Sequence, residues 1–170
     1  MPENRTAEHG LVALLRRLIT GWALAGGGVL MALALMTTWS AASAFLFNAP
    51  VPGDFELMEL GVAVAAFSFL PFCQLIGANV SADIFTARAG PRTVAALGLL
   101  ASLIALGFGL LLLWRMYYGL LDYQEYLETT AILQIPLWYA FVPALVSLAL
   151  LAVASVITLL EESRKLRLGD

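Results

Sequence analysis

The sequence predicts an all-α integral membrane protein with four transmembrane helices and both termini on the cytoplasmic side. Composition is the first reason. The chain has 170 residues, of which 61% are hydrophobic and 12% charged, and its mean hydropathy is +0.89. An ordinary soluble domain holds about 45–50% apolar and about 25% charged residues. A chain this short has too much surface to hide the excess away from water. Segmentation is the second reason. The apolar residues gather into four runs that each suit a helical span of about 20 residues, and they are far longer than the ~10-residue alternating strands of a membrane barrel. Charge placement is the third, because basic residues recur only on alternate connections.

The first span is read as residues 18–47, with no charge after Arg17. Trp22 and Trp39 mark its two ends, about 26 Å apart on a helix, and the full run exceeds one hydrocarbon thickness, so it tilts or projects. Leu11, Leu14, Leu15 and Leu18 precede it at helical spacing beside Arg16 and Arg17. They form an amphipathic N-terminal lead-in at the headgroup level. The arginines, the apolar run and Ala42-Ser43-Ala44 have the ingredients of a signal peptide, but both the basic region and the apolar run are too long for one.

Pro50, Pro52 and Gly53 then make a short turn. The second span is read as residues 56–80, with Asp54, Glu56 and Glu59 in or beside its first turn, where carboxylates suit the positive end of the helix dipole. Pro71 is expected to kink it. A polar link follows, containing Asp83, Arg88, Gly90, Pro91 and Arg92, and leads to a third span at residues 93–118. The stretch 119–130 is acidic and aromatic and reads as a loop. The fourth span is read as residues 135–160, with Pro136 in its first turn and Pro143 placed to bend it. The whole chain reads as one four-helix domain.

Arg5, Arg16 and Arg17 precede the first span, Arg88 and Arg92 separate the second from the third, and Arg164, Lys165 and Arg167 follow the fourth. Arg115 alone falls towards the opposite side. The positive-inside rule therefore places both termini in the cytoplasm. The outer connections carry Asp54, Glu56, Asp122, Glu125 and Glu128.

Several chemistries are excluded. One histidine, His9, cannot supply a bis-histidine haem site, and one cysteine, Cys73, cannot form a Cys-x-x-Cys pair. No zinc ligand set stands out. Gly26-Gly27-Gly28 lies in an apolar helix with no following Lys-Ser/Thr, so it is not a phosphate loop. No nucleophile–base pair or catalytic carboxylate pair is visible, so no enzyme activity, cofactor or nucleic-acid partner is expected. No ionisable residue falls at the centre of a predicted span; Asp83 and Arg115 come closest, each near a predicted helix end. Carriers that bind a proton or solute at the midplane usually keep such a group there.

The remaining candidates concern contact. Gly21, Ala25, Gly28 and Ala32 form one small-residue stripe, and Gly98, Ser102, Ala105 and Gly109 form another. Small residues let helices approach closely, and both packing within the bundle and docking onto another membrane protein fit them. Gln74, Asn79 and Asp83 give the second helix a polar face, read more simply as interhelical hydrogen bonding than as a solute pathway. Trp114, Tyr117, Tyr118, Tyr123 and Tyr126 form an interfacial aromatic belt.

The order of these features resembles the small membrane subunit of tripartite ATP-independent periplasmic (TRAP) transporters over nearly the whole chain. It rests on the basic lead-in and long first helix, Pro52-Gly53 followed by Glu56-Leu57 and Glu59-Leu60, the run Asn79-Val80-Ser81-Ala82-Asp83-Ile84-Phe85, and Gln134-Ile135-Pro136-Leu137-Trp138-Tyr139 before Pro143. The family often has histidine where Asn79 stands here, so a pH-sensitive role at that position is absent. The resemblance implies a scaffold subunit in a bacterial inner membrane. Its partners would be a larger membrane subunit that carries sodium and substrate, a soluble periplasmic binding protein that delivers an organic acid, and membrane lipids. The rival readings are a self-contained oligomeric transporter or channel, which needs a polar pathway through Gln74 and Asn79, and a membrane enzyme, which needs clustered acids or a metal site.

Overall fold

A computed structural model of the protein describes residues 3–77 and 90–168. The described residues form four helices, α1 (Glu3–Phe47), α2 (Asp54–Ile76), α3 (Pro91–Glu125) and α4 (Trp138–Leu168). All four are long and apolar enough to cross a membrane. This is the expected outcome in lipid, where a helix satisfies its own backbone groups. The amphipathic lead-in and the first span are one continuous helix, about 67 Å long at 1.5 Å per residue.

Several helix ends differ from the sequence reading, with α4 running on to Leu168 instead of stopping at residue 160, and three of the differences have a local reason. The second span starts at Asp54 and stops at Ile76, because Gly77 takes a left-handed conformation (φ +66°) and its N–H turns back to the carbonyls of Cys73 and Gln74. Residues 78–80, assigned to that span, lie outside the described residues. The third helix runs on to Glu125, so the acidic stretch 119–125 is helical and not a loop. Gly119 permits this by letting the Phe141 ring approach to 3.1 Å of where its Cβ would stand. The fourth helix begins at Trp138 because Pro136 is not in its first turn. Ile135 and Pro136 instead close a small hairpin. Thr130 N–H donates to Ile135 O at 3.0 Å, and Leu137 N–H donates to Glu128 O at 3.1 Å. The helix α2 continues through Pro71, which is fully buried.

In space α4 packs along both α2 and α3, α2 packs along α1, and α1 touches α4 at a few places only. The interior is made of small residues and a few aliphatics: Ala23, Ala65, Ala144 and Ala154 with Ile19, Leu33, Leu148 and Ile157. Lipid provides no hydrophobic drive for helix association, so close van der Waals contact takes its place. Two glycines make the α1–α2 contact close. A Cβ on Gly26 would stand 2.7 Å from Ser68 Cβ, and one on Gly61 would stand 2.6 Å from Leu33 Cδ1.

Polar side chains fasten the seams. Arg16 Nη2 donates to both carboxylate oxygens of Glu161 at 2.7 and 2.9 Å, tying α1 to α4. Trp22 Nε1–H donates to Ser147 Oγ at 2.8 Å, and Gln74 Nε2–H donates to Thr158 Oγ1 at 3.1 Å. Both tight turns lie at the other end, hereafter the loop end. There Ser40 Oγ–H donates to Asp54 Oδ2 at 2.6 Å and accepts from Val51 N–H at 3.1 Å. Glu56 reaches across to the α3–α4 connection, where its two oxygens accept the N–H groups of Ile132 (2.6 Å) and Leu133 (2.9 Å). Leu133 in turn lies directly over Gly53, whose φ is +74°.

Two tests follow from the loop end. Gly53→Ala should cost about 1–2 kcal/mol from the left-handed backbone alone, plus the overlap with Leu133. Gly77→Ala, equally left-handed but with open space around it, should lose only about 1–2 kcal/mol. Thermal unfolding in detergent compares the two, and equal losses would remove the role of Leu133. For the carboxylate clamp, Glu56→Ala should speed amide hydrogen exchange at Ile132 and Leu133 together, while Glu56→Gln, with one acceptor oxygen left, should spare one of them.

Candidate partner surface

The helix α1 presents two stripes of small residues, and only one is used inside the chain. Ile19, Ala23, Gly26, Leu33 and Ser40 are buried, with the heptad step from 19 to 26, 33 and 40 keeping them on one side. The predicted stripe Gly21, Ala25, Gly28 and Ala32 is exposed throughout. It lies about 130° around the helix from the buried seam, at about 100° per residue. A Cβ on Gly21 or Gly28 would meet nothing within 4 Å. The second stripe is used inside the chain. Ser102 and Gly109 are buried and Gly98 and Ala105 are half-buried. A Cβ on Gly98 would stand 3.2 Å from the Glu162 carboxyl carbon, and one on Gly109 would stand 3.4 Å from Leu151. These residues line the α3–α4 seam of this chain.

The acidic residues at the loop end divide in the same way. Asp54 and Glu56 are half-buried and hold the turns described above. Asp122, Glu125 and Glu128 are exposed, and Asp122 and Glu128 share an open depression of about 360 Å³ with Tyr123 and Tyr126. Tyr123 packs on Phe141 with ring centroids 4.9 Å apart. Beside it, Leu110, Leu113, Trp114, Tyr117 and Leu145 line an apolar groove of about 470 Å³ between α3 and α4.

Of the predicted polar face on α2, Gln74 is buried and bonded to Thr158, while Asn79 and Asp83 lie outside the described residues. Cys73 is a half-buried free thiol. Among the described residues no three His, Cys, Asp or Glu side chains are grouped as a metal ion would require. Arg115 needs a correction: it is not near the end of its helix, because α3 continues for ten residues beyond it.

Sequence reasoning did not single out Gly61, nor Gly26 as a packing residue apart from its triplet. The heptad step that ends on Ser40 was the available signal for the α1 seam. Nothing in the sequence pattern pairs Glu56 with residues 132 and 133, because a clamp across so long a separation has no local periodicity.

No individual curated protein matches the chain. A family model does, over residues 33–165, from the middle of α1 almost to the end of α4; it describes the DctQ component of tripartite ATP-independent periplasmic transporters. Four spanning helices and a match of that extent fit a multi-pass protein of the inner membrane. The chain therefore belongs to the DctQ family, the small membrane components of TRAP transporters.

Proposed function

We propose that this chain is the scaffold subunit of a sodium-driven TRAP transporter for organic acids. It braces a larger membrane subunit that carries sodium and substrate, and a soluble periplasmic binding protein delivers the substrate. Both termini face the cytoplasm in this reading, on the strength of the basic residues around the spans. The bundle itself serves as a rigid wall and not as a conduit.

One observation carries the reading. Among the described residues, the buried polar side chains between the helices are tied either to a neighbouring helix or to the backbone of their own. Trp22 with Ser147 and Gln74 with Thr158 each close a seam between two helices. Ser68, Ser147 and Ser155 each donate their hydroxyl to a carbonyl four residues back in their own helix. A solute pathway needs polar groups that face a cavity and exchange partners. The two depressions described above both open on the surface.

The exposed acids Asp122, Glu125 and Glu128 are proposed to steer the binding protein towards the loop end, since a patch of one sign raises encounter rates. Asp54 and Glu56 contribute to the same field but are held in the turns. In vesicles containing the three components, reversing Asp122, Glu125 and Glu128 to lysine should slow uptake by at least about threefold at low ionic strength. The deficit should shrink in high salt, where exposed charges are screened. Unchanged uptake at low salt would remove the steering role. Vesicles holding this chain alone should take up nothing along a sodium gradient, and uptake there would overturn the scaffold reading.

A further inference from the structure

The α3–α4 connection grips a carboxylate in the way an anion site does. Ile132 N–H donates to Glu56 Oε1 at 2.6 Å and Leu133 N–H donates to Glu56 Oε2 at 2.9 Å, so consecutive amides take one oxygen each. The Ala131 amide and the Thr130 hydroxyl are further donors to the same carboxylate. Thr130 Oγ1 accepts the Ile135 N–H at 3.0 Å, which leaves its own proton for Glu56. Successive amides in a turn form a concavity that binds anions. Hydrogen bonds to an ionised acceptor are roughly twice as strong as neutral ones.

The turn is held in shape by bonds that do not involve Glu56. Thr130 N–H to Ile135 O and Leu137 N–H to Glu128 O close the hairpin from its own backbone. Gln134 takes a φ of +52°, which reverses the chain between the two donor amides and Ile135. The Leu133 side chain is seated over Gly53. The turn is also open to solution, since residues 131–134 are exposed and Glu56 is only half-buried. Taking the Glu56 side chain away would therefore leave an accessible set of donors already aimed at one point.

We propose that the turn 130–133 is a binding site for small carboxylates, closed in this conformation by Glu56 as its built-in ligand. Each of the two close amides takes a separate oxygen. That pattern matches the fork of a carboxylate and wastes one contact on a single-atom anion. Glu56 stands in the first turn of α2, so the bonds that fill the site also latch that helix to the connection. A free carboxylate in the turn would satisfy the amides equally well and let α2 go. The site goes beyond the scaffold reading and stands without it.

The test takes the built-in ligand out of the full chain in detergent and supplies free ones. In Glu56→Ala, amide exchange at Ile132 and Leu133 should run roughly tenfold faster than in wild type. Sodium formate or acetate should slow both amides back towards the wild-type rate, with saturation. So small a ligand binds no tighter than about a millimolar, so the response should develop over millimolar concentrations and above. Sodium chloride at equal ionic strength and neutral acetamide should leave the rates unchanged. Glu56→Gln, whose side chain still fills the turn, should not respond to formate. Nor should wild type, where the tethered carboxylate has the higher effective concentration. If Glu56→Ala unfolds on extraction, formate in the extraction buffer should yield folded chain where chloride yields none. Unchanged exchange in Glu56→Ala, slowing by chloride equal to that by formate, no slowing by either, an equal formate response in Glu56→Gln, or a chain that stays unfolded in formate would each overturn the proposal.

Discussion

The bundle is organised by how closely its neighbours can approach α4. That helix offers small residues on the side it presents to the others, with Ala144, Ser147, Ala154 and Ser155 all buried. Three side-chain fastenings from α1 and α2 end on it: Arg16 on Glu161, Trp22 on Ser147, Gln74 on Thr158. On the far side, Gly98 and Gly109 bring α3 down onto Glu162 and Leu151. Interhelical hydrogen bonds in membranes average only about 0.6 kcal/mol. Their number matters less than the fact that they select one rotation of each helix about its axis, which apolar contact alone would leave loose.

The loop end is built on a different principle. There the chain leaves the helices, and exposed backbone amides need partners. Carboxylates at the start of α2 provide them. Glu56 takes two consecutive amides of the α3–α4 connection, and Asp54 takes its own neighbour's amide as well as the Ser40 hydroxyl. The first turn of α2 is thereby joined both to the end of α1 and to the hairpin before α4. A surface meant to receive a soluble partner gains from such fixing, because less order has to be imposed on binding.

The number of helices was legible in the sequence because length and hydropathy are direct consequences of the bilayer, while the family was legible only as a resemblance carried by ordered short motifs such as Pro52-Gly53 and Gln134-Ile135-Pro136-Leu137-Trp138-Tyr139. Helix ends were less so. Residues 119–125 contain Gly119, Asp122 and Glu125 and read as a loop, yet they form helix because Phe141 covers Gly119 and the next turn is closed by Tyr126 N–H to Asp122 O. Pro136 read as a helix start, but the hairpin bonds to Thr130 and Glu128 claim that segment first. The facing of α1 was not legible for a more general reason. In water, an apolar stripe marks the buried side of a helix. In lipid both sides are apolar, so the stripe through Gly21 and the seam through Gly26 look alike, and only the partner helix distinguishes them. The same misplaced end of α3 put Arg115 near a helix end, when the helix runs ten residues past it.

The serine bonds have a consequence for which ions this interior would tolerate. Ser68, Ser147 and Ser155 give their protons to carbonyls of their own helices, Thr158 gives its proton to Ser155 O, and one amide proton of Gln74 and the indole proton of Trp22 are directed at hydroxyl oxygens. What remains turned outward from those hydroxyls is lone-pair density. A carboxylate entering between these helices would meet electron-rich oxygen where it needs positive hydrogen. The repulsion is set by the sign of the lining, irrespective of any opening wide enough to admit it.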